Sequence, residues 1–439
     1  MDFSRRSFIE LNAAAAAQPR GGSANDRVQT AVIGCGARAH ELIAALLVHQ
    51  QAEITGVCDA YKGRVERALD RVADARAGRR PRILADYREA LQDKSIDAVI
   101  VATPDHWHKQ MVVEALRAGK DVYCEKPLTY QSAEGREIVA VAQETKRIVQ
   151  VGSQGMSSQV QGRARELVKS GKLGQVTMIR AAYNRNTASG AWIYPIPPDA
   201  SPQTVNWEMF LGAARKQPFS LERFFRWRCY EDYSGGIATD LFVHLCTTIH
   251  FVMGARMPKR VTAMGELYRW KSSRDVPDTL NAILEYPEGF TVNLSSTFNN
   301  QSSAEASFQF LGTEGTINIG WGSLHHEQEN VWEDNRWIVE SWPKKLEADY
   351  WKDPKVVASE MSSQGKPRLV NGPAVFREQG QDPTVTHFGH WLNSIRTRQP
   401  YWQDAAAGHR AAACAHMVNR SVKTGRLAEW DFALHDIKA

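Results

Sequence analysis

The fold is decided by the stretch Val28-Gln29-Thr30-Ala31-Val32-Ile33-Gly34-Cys35-Gly36-Ala37-Arg38-Ala39. A β-rich run ends in two glycines, and apolar residues from Leu42 to Leu47 then recur at helical spacing. Strand, glycine turn and helix in this order are the context in which a Gly-x-Gly-x-x-Ala pattern indicates dinucleotide binding. Gly34 permits the tight turn, Gly36 lets a pyrophosphate approach the backbone, and Ala39 keeps the helix close to the sheet. The pyrophosphate would then bind at the helix N-terminus, where unpaired N–H groups favour an anion.

The residue after the second predicted strand indicates which dinucleotide is bound. That strand, Glu53 to Cys58, ends at Asp59. A carboxylate here accepts hydrogen bonds from the ribose hydroxyls and repels a 2′-phosphate, so NAD is favoured over NADP. Lys62 and Arg64 follow closely and leave NADP open as the second possibility.

The strand–helix unit then repeats up to about residue 151. The apolar run Ile96 to Ala102 is typical of a parallel strand covered on both faces. It ends at Thr103-Pro104-Asp105-His106-Trp107-His108, the place where open α/β sheets bind ligands. We therefore expect a doubly wound parallel sheet, a Rossmann domain, over residues 27–151. Its further predicted elements are a helix from Asp86, a helix at Met111–Arg117, a strand at Asp121–Cys124, a helix at Ala133–Thr145 and a strand at Arg147–Val151.

The pattern changes to alternating strands and hairpins in residues 152–439, which predicts an α+β domain with a large, mostly antiparallel open sheet. Residues 345–385 are polar and rich in proline and glycine, so we expect a long surface excursion there. His325-His326 is expected to lie in a surface loop. The predicted strands are Val176–Tyr183, Leu280–Tyr286, Phe290–Thr297, Phe308–Leu311 and Thr316–Ile319, and two closing helices are predicted at His387–Arg396 and Ala405–Lys423.

Composition excludes several classes of protein. The 439 residues are 43% hydrophobic and 23% charged, which is globular composition. The net charge of +5 is spread along the chain, which argues against a nucleic-acid partner. No run of 18 apolar residues occurs, so no membrane span is expected. Six separated cysteines without a C-x-x-C pair predict buried thiols rather than a metal site: Cys35, Cys58, Cys124, Cys229, Cys246 and Cys414.

The first 26 residues differ in character from the rest. Ser4-Arg5-Arg6-Ser7-Phe8-Ile9 is a twin-arginine string, followed by a weakly apolar stretch and Ala15-Ala16-Ala17. We interpret residues 1–26 as a twin-arginine export signal and spacer, which predicts a periplasmic protein. If the leader is vestigial, the protein is cytoplasmic.

Several motifs in one register resemble the Gfo/Idh/MocA oxidoreductase family. Beside the glycine turn and Thr103-Pro104-Asp105-x-x-His108, they are Ala118-Gly119-Lys120-Asp121-Val122-x-Cys124-Glu125-Lys126-Pro127 and Gly235-Gly236-x-x-x-Asp240-x-x-x-His244. The resemblance covers nearly the whole chain after Arg27. It implies a catalytic set of Lys126, Asp240 and His244, a Lys126–Pro127 peptide that is often cis, and assembly into homodimers or homotetramers.

The chemistry of these residues supports the same set. Oxidation of a secondary alcohol needs a base within hydrogen-bond reach of the hydroxyl. Asp240 and His244 are four residues apart on a predicted helix and share one face, so the carboxylate is expected to orient the imidazole. We assign His244 as acid/base, Asp240 as its orienting partner, and Lys126 as the group that stabilises a developing alkoxide.

The remaining site predictions concern ligands. Arg226-Trp227-Arg228 could hold a sugar or form a packing cluster, and Tyr183, Asn184 and Arg185 end a strand that faces the expected cleft. No metal is expected. The predicted cofactor-binding residues are Gly34, Gly36, Ala37, Arg38, Asp59, Thr103, Pro104, His108, Glu125 and Lys126.

Three functions remain open at this point. The first is an NAD-dependent oxidoreductase that acts on a secondary hydroxyl of a sugar, glycoside or polyol. The second is an NAD-dependent glycoside hydrolase whose tightly bound cofactor is recycled in each turnover. In the known branch of that type a Tyr-x-x-His arrangement stands where this chain has Asp240 to His244. The third is a non-catalytic regulator that binds NAD and sugar, and the intact catalytic set argues against it.

Overall fold

The computed structural model describes residues 27–302, 307–320, 322–329, 335–360 and 372–438. Residues 1–26, for which a twin-arginine leader is predicted, lie outside these described residues. Within them, no helix is both long enough and apolar enough to cross a bilayer.

The first domain is built on a parallel sheet of six strands in the order β3-β2-β1-β4-β5-β6. This is the order of a doubly wound dinucleotide-binding sheet, with its reversal between β1 and β4. The predicted Rossmann fold is therefore confirmed. The strands are β1 (Val28–Ile33), β2 (Ala52–Cys58), β3 (Arg82–Ile83), β4 (Ala98–Val101), β5 (Asp121–Glu125) and β6 (Val149–Gly152).

Helices cover both faces of this sheet, which explains why its central strands are apolar throughout. All four residues of β4 and all five of β5 are buried. The helices are α1 (Ala37–Leu47), α2 (Lys62–Ala75), α3 (Tyr87–Gln92), α4 (Asp105–Arg117) and α5 (Glu134–Thr145).

The second domain is built on a ten-stranded sheet in the order β14-β13-β12-β11-β7-β10-β9-β8-β15-β16. Its strands pair antiparallel except for β7 and β10, which are parallel. The predicted large, mostly antiparallel sheet is thus confirmed. The strands are β7 (Val176–Ala182), β8 (Arg260–Glu266), β9 (Thr279–Tyr286), β10 (Phe290–Thr297), β11 (Ser307–Gly312), β12 (Gly315–Gly320), β13 (Ser323–Gln328), β14 (Ala374–Arg377), β15 (Ala428–Asp431) and β16 (Asp436–Ile437).

One face of this sheet packs on helices to form the larger core, while the opposite face exposes Met264 and Ile283. Alternating burial along β9 and β10 reflects the two-residue period of a strand with one covered face. The helices after β6 are α6 (Gln159–Lys169), α7 (Trp207–Leu211), α8 (Leu221–Phe225), α9 (Val243–Met253), α10 (Arg336–Val339), α11 (Lys344–Tyr350), α12 (Pro354–Glu360), α13 (Pro383–Thr397) and α14 (Ala405–Thr424).

Two sequence predictions need correction: the position of His325-His326 and the domain to which one closing helix belongs. His325 and His326 lie in strand β13, paired with β12, and not in a loop. The described part of segment 345–385 lies largely at the surface, as expected, and it contains α11, α12, β14 and the start of α13, while residues 361–371 lie outside the described part of the chain. These elements are too short to show a clear apolar period, so the composition of the segment indicated its surface position but not its secondary structure.

Helix α13 belongs in space to the first domain. Phe388, Trp391 and Leu392 pack in the same core as residues of α1 and α2, and the Phe388 ring stacks on Tyr123 at 4.5 Å. Sequence order assigned this helix to residues 152–439, the second domain. The chain thus returns to the Rossmann sheet after completing most of the second sheet.

Candidate active site

A cavity of about 800 Å³ lies between the two domains, at the carboxyl ends of β1, β2, β4 and β5. That volume is in the range of ligand and cofactor sites. Its walls contain the glycine turn, the end of β2, the loop after β4 and the segment that follows β5. Of the predicted cofactor residues, Gly34, Gly36, Ala37, Arg38, Asp59, Thr103, Pro104, Glu125 and Lys126 line it.

The glycine turn has the geometry that an approaching anion requires. Gly34 has φ +84°, and a Cβ atom on it would lie 2.6 Å from the carbonyl oxygen of Ala102, so a side chain is excluded there. A Cβ on Gly36 would meet nothing closer than Arg64 at 3.8 Å, because this part of the backbone borders the cavity. Helix α1 begins next to it without a side-chain cap and without an acidic residue in its first turn. Its N–H groups can therefore receive a pyrophosphate.

Asp59 lines the cavity where the ribose of a dinucleotide would lie. Its carboxylate accepts hydrogen bonds from the backbone N–H of Cys35 at 2.7 Å and of Tyr61 at 2.8 Å. The Arg64 guanidinium approaches it to 3.9 Å. Asp59 thus also ties the glycine turn to the end of β2, a structural role that sequence reasoning missed.

His108 does not reach the cavity. Its ring nitrogens lie 2.6 Å from the carbonyl oxygen of Pro127 and 2.9 Å from that of Thr103, and the residue is buried. It therefore joins the loop after β4 to the segment after β5 and acts on the site through them. Glu125 lines the cavity and accepts a hydrogen bond from Arg38 at 3.1 Å.

Lys126 is held by Asp240 at the centre of the cavity. Its ammonium donates to the Asp240 carboxylate at 2.7 Å and to the Asp240 carbonyl oxygen at 2.9 Å. The Arg228 guanidinium donates to the same carboxylate oxygen at 3.0 Å. Although burial acts to raise it, these two cations hold the pKa of Asp240 well below its usual range. The Lys126–Pro127 peptide is cis.

The expected pairing of Asp240 with His244 is absent from the described contacts. Residues Ala238–Phe242 form a π-helical turn ahead of α9, and a π turn holds more residues than an α turn. Asp240 and His244, four residues apart, therefore do not lie directly above one another as they would in a regular α-helix. Both side chains line the cavity, but the carboxylate points to Lys126 and Arg228 instead.

His244 is electrically neutral in this site. Burial lowers its pKa to about 3, and the charge of Lys126 adds to this effect. The imidazole is therefore in the form that can accept a proton at any pH near neutrality.

Asp105, at the start of α4, is a second carboxyl group of this site. It lines the cavity and is 2% exposed, and the Thr239 hydroxyl lies 3.5 Å from its carboxylate. Burial, with a contribution from the charge of Asp240, raises its pKa to about 7. The sequence motif placed Asp105 at the site, but the raised pKa of its carboxyl comes first from burial in the folded protein and then from Asp240, which is distant in the chain.

We expect the stability of Asp105→Asn relative to wild type to increase as the pH rises from 5 to 8. The pKa of Asp105 is raised from 3.8 to about 7 on folding, so its contribution to stability is complete below pH 3.8 and is lost as the pH rises through 7. An asparagine loses no proton. The unfolding free energy of the variant relative to wild type should therefore increase by about 3 kcal/mol between pH 5 and pH 8. Denaturant titrations at both pH values measure this, with exposed Asp74→Asn as the control, and parallel curves for Asp105→Asn and wild type would refute the shift.

Some of the predicted substrate residues line the cavity and others do not. Tyr183 and Trp227 line the cavity, whereas Arg226 binds the Tyr194 carbonyl and Glu222 outside it. Asn184 turns away and bonds the backbone of Ser302 and Thr297. Arg185 and Arg228, which the sequence placed in the same two groups, also line the cavity, whereas Trp192 and Tyr194 are lining residues that the sequence did not single out. Side-chain alternation just after β7 explains why Tyr183 and Arg185 line the cavity while Asn184 between them does not.

A six-stranded doubly wound sheet with a glycine turn at its switch point defines the first domain as a dinucleotide-binding domain. The family models agree. Residues 28–153 match an oxidoreductase family model described as an NAD-binding Rossmann fold, and residues 209–318 match the GFO/IDH/MocA C-terminal domain. Together they cover more than half of the chain. The chain belongs to the Gfo/Idh/MocA oxidoreductase family.

Two curated relatives match parts of the chain. Inositol 2-dehydrogenase of Salmonella paratyphi B is 30% identical over 155 residues, which are 35% of this chain and 42% of that protein. Glycosyl hydrolase family 109 protein 1 of Akkermansia muciniphila is 31% identical over 126 residues, 28% of this chain and 26% of that protein. The chain thus spans less than half of the length of either relative.

A solved structure extends the similarity of fold to both domains. Levoglucosan dehydrogenase in complex with NADH and levoglucosan superposes with a TM-score of 0.67 at 16% identity. The superposition covers 92% of this chain and 99% of that one.

Proposed function

We propose that this protein is an NAD-dependent oxidoreductase that transfers a hydride between the nicotinamide and a secondary hydroxyl of a sugar, glycoside or polyol. The observation that carries the proposal is the Lys126–Asp240 ion pair, which faces the same cavity as the glycine turn and His244. The ammonium and carboxylate side chains are 11% and 9% exposed, so the pair acts in a site largely shielded from water. Inositol 2-dehydrogenase, a relative by sequence, carries a name of the same reaction class.

The roles of the side chains follow from their contacts. When bound, the nicotinamide ring supplies the hydride acceptor. Lys126, positioned by Asp240, donates a hydrogen bond to the substrate oxygen and stabilises the negative charge that develops there. Neutral His244 accepts the hydroxyl proton. Asp240 thus positions Lys126 rather than His244, since its carboxylate contacts the ammonium and the Arg228 guanidinium.

We propose NAD rather than NADP as the cofactor, and Asp59→Ala tests the preference. Loss of the carboxylate removes the ribose acceptor and the repulsion of a 2′-phosphate, so the dissociation constant for NAD should rise about tenfold or more while that for NADP rises less. Calorimetric titration with both dinucleotides measures this. Asp70→Ala, an exposed carboxylate paired with Arg80, is the control. Equal weakening of the two dinucleotides would reject the ribose assignment.

A second candidate is the redox-assisted glycoside hydrolase with a retained, recycled NAD. A segment of the second domain supports it by closing over the cofactor side of the cavity. The Tyr61 hydroxyl donates to Asp199 at 2.6 Å, and Asn206 donates its N–H to the Ala60 carbonyl at 2.7 Å. Tyr61 also forms an antiparallel bridge with Val205. These contacts would slow cofactor release. No comparable observation favours a non-catalytic regulator, because the Lys126–Asp240 ion pair and His244 are both present in the cavity.

One incubation separates these candidates. Purified protein is mixed with NAD⁺ and a panel of sugars, polyols and aryl glycosides, and both NADH and released aglycone are measured. Net NADH formation supports the oxidoreductase, and aglycone release without net NADH supports the hydrolase. A protein that binds NAD and sugar but converts neither would be a regulator, and one that binds no NAD contradicts all three proposals.

We further propose that the protein is exported by the twin-arginine route to the periplasm, on the strength of Arg5-Arg6 and the stretch that follows. Replacement of both arginines by lysine should keep the protein in the cytoplasm on cell fractionation.

We also propose a homodimer or homotetramer formed through the exposed sheet face that carries Met264 and Ile283. Met264→Glu should then lower the mass measured by light scattering.

A further inference from the structure

We propose that the substrate carries a carboxylate, as a uronic acid or a uronoside does, and that Arg185 and Arg228 bind that group. The inference rests on the proposed function and names the substrate class of the same site. It is carried by the surplus of positive charge and by the unused hydrogen-bond donors at the substrate end of the cavity.

The substrate end carries more positive than negative charge. Elsewhere in the cavity wall the charged side chains are paired: Arg38 with Glu125 and Glu41, Arg64 with Asp59, Arg88 with Asp86, and Glu208 with Lys216. The region around the Lys126–Asp240 pair, here called the substrate end, then contains Lys126, Arg185 and Arg228, opposed by Asp240 and the buried carboxyl of Asp105. Three cations face at most two carboxylates, so at least one positive charge is uncompensated. A neutral sugar would leave this charge in a shielded cavity without a counter-ion, which is unfavourable, whereas an anionic substrate neutralises it.

Both Arg185 and Arg228 have N–H groups that are available to a ligand. Arg228 uses Nε for Asp240, and its two terminal nitrogens have no hydrogen-bond partner among the described residues. Arg185 uses one terminal nitrogen for the Gly190 carbonyl at 3.1 Å, which leaves its Nε and other terminal nitrogen without a described partner. A guanidinium offers parallel donors that match the two oxygens of a carboxylate.

Aromatic rings hold both guanidinium groups in place. Arg228 lies over the Trp227 ring at 4.2 Å from its centroid, and Arg185 lies over the Tyr183 ring at 5.1 Å. Such stacking restricts the long side chains before a ligand arrives, so less conformational freedom is lost on binding. Trp227 and Tyr183 also line the cavity, where they offer faces to the apolar side of a sugar ring.

Other arginines near the cavity, unlike Arg185, already form ion pairs with carboxylates of the protein. Arg226 is paired with Glu222 at 3.0 Å, and Arg223 is paired with Asp232 at 2.9 Å. Arg38, at the cofactor end, is paired with Glu125 at 3.1 Å. Arg185 has no salt bridge to a carboxylate among the described residues. It is therefore the side chain best placed to accept a substrate anion without breaking an ion pair.

The test compares matched ligands on NAD-saturated protein by calorimetric titration. The ligands are glucuronate and galacturonate, their methyl esters, the parent hexoses and glucose 6-phosphate. We expect at least one uronate to bind about tenfold or more tightly than its uncharged ester and its parent hexose, because charge-assisted hydrogen bonds form with the carboxylate alone. Binding of the phosphate more tightly than both uronates would overturn the carboxylate assignment.

Two variants assign the preference to Arg185. Arg185→Gln should reduce uronate affinity about tenfold and leave hexose affinity within twofold, and Arg185→Lys should restore part of the loss. Arg180→Gln, an exposed residue of β7 whose guanidinium bonds Gln309, is the matched control and should change nothing. A uronate preference that survives Arg185→Gln, equal binding of esters and acids, or the absence of uronate binding would each overturn the inference.

The outcome is separable from that of the proposed function. A protein that binds NAD and oxidises neutral sugars without preferring uronates refutes the carboxylate inference alone. A protein that binds no NAD, or that converts no sugar of either kind, refutes the oxidoreductase proposal itself.

Discussion

Lys126→Ala is expected to lower kcat/KM for the oxidised sugar or polyol by about a thousandfold, a much larger change than the loss of NAD affinity, to which Lys126 is one of ten predicted contributors. A positioned donor to a developing oxyanion contributes about 10²–10³ to the rate, and the Lys126 ammonium is the donor that Asp240 holds in place at 2.7 Å. The cofactor should be retained because the glycine turn and Asp59, at the other end of the cavity, are untouched. Steady-state kinetics and dinucleotide titration of the same preparation measure both quantities.

The control for this variant is Lys109→Ala. Lys109 lies on α4 and pairs with Glu137 at 2.7 Å on the surface, so its removal should leave kcat/KM unchanged. A thermal melt of each variant separates loss of catalysis from loss of folding. Activity of Lys126→Ala within tenfold of wild type, in a folded protein, would show that another group stabilises the substrate oxygen.

His244→Ala should lose about 10²–10⁴ in kcat, the usual contribution of a general base. Burial and the charge of Lys126 lower the pKa of the imidazole to about 3, so it is already neutral and needs no deprotonation before it accepts a proton. For the same reason, kcat/KM should not fall through protonation of this residue as the pH is lowered through 6.5.

His325→Ala is the control for the histidine variant. His325 lies in β13 on the sheet of the second domain and does not line the cavity, so turnover should be unchanged. Normal turnover of His244→Ala would rule out the imidazole as the base. A group with a pKa near 6.5 that disappears in His244→Ala would instead contradict the low pKa.

The first domain could be predicted from the sequence because its signals are local. The Gly34 turn, the apolar strands and the acidic end of β2 each depend on fewer than about a dozen neighbouring residues, and their order along the chain specifies the sheet. The same logic located Lys126 at the end of β5. Period-two alternation likewise indicated the antiparallel sheet, although not its strand order.

The contacts of the catalytic set could not be predicted in the same way. An α-helix was assumed through Asp240 and His244, and the π turn at Ala238–Phe242 has no signal in single-residue propensities. The partner that Asp240 binds, Lys126, is 114 positions away in the chain. Lys126, Asp240 and His244 line one cavity, as the sequence predicted, but the carboxylate of Asp240 contacts Lys126 instead of the predicted partner His244.

The contacts of Tyr61 with the second domain and the placement of α13 are long-range features too. Tyr61 meets Asp199 and Val205 across the domain boundary, and α13 returns to the first core after more than two hundred residues. No local pattern encodes which domain an amphipathic helix will cover. Its apolar stripe predicts that it is buried, and the partner is decided by the remaining exposed face of the sheet.

Transfer of deuterium from substrate carbon to the nicotinamide ring is the most direct test of hydride transfer in this site. A sugar or polyol that the protein converts is prepared with deuterium on the carbon bearing the reacting hydroxyl, and a single turnover with NAD⁺ is quenched before the cofactor can be recycled. Mass spectrometry should find deuterium in the nicotinamide of wild-type protein and far less in Lys126→Ala. Conversion of the substrate with no deuterium in the nicotinamide would contradict an oxidoreductase mechanism for this protein.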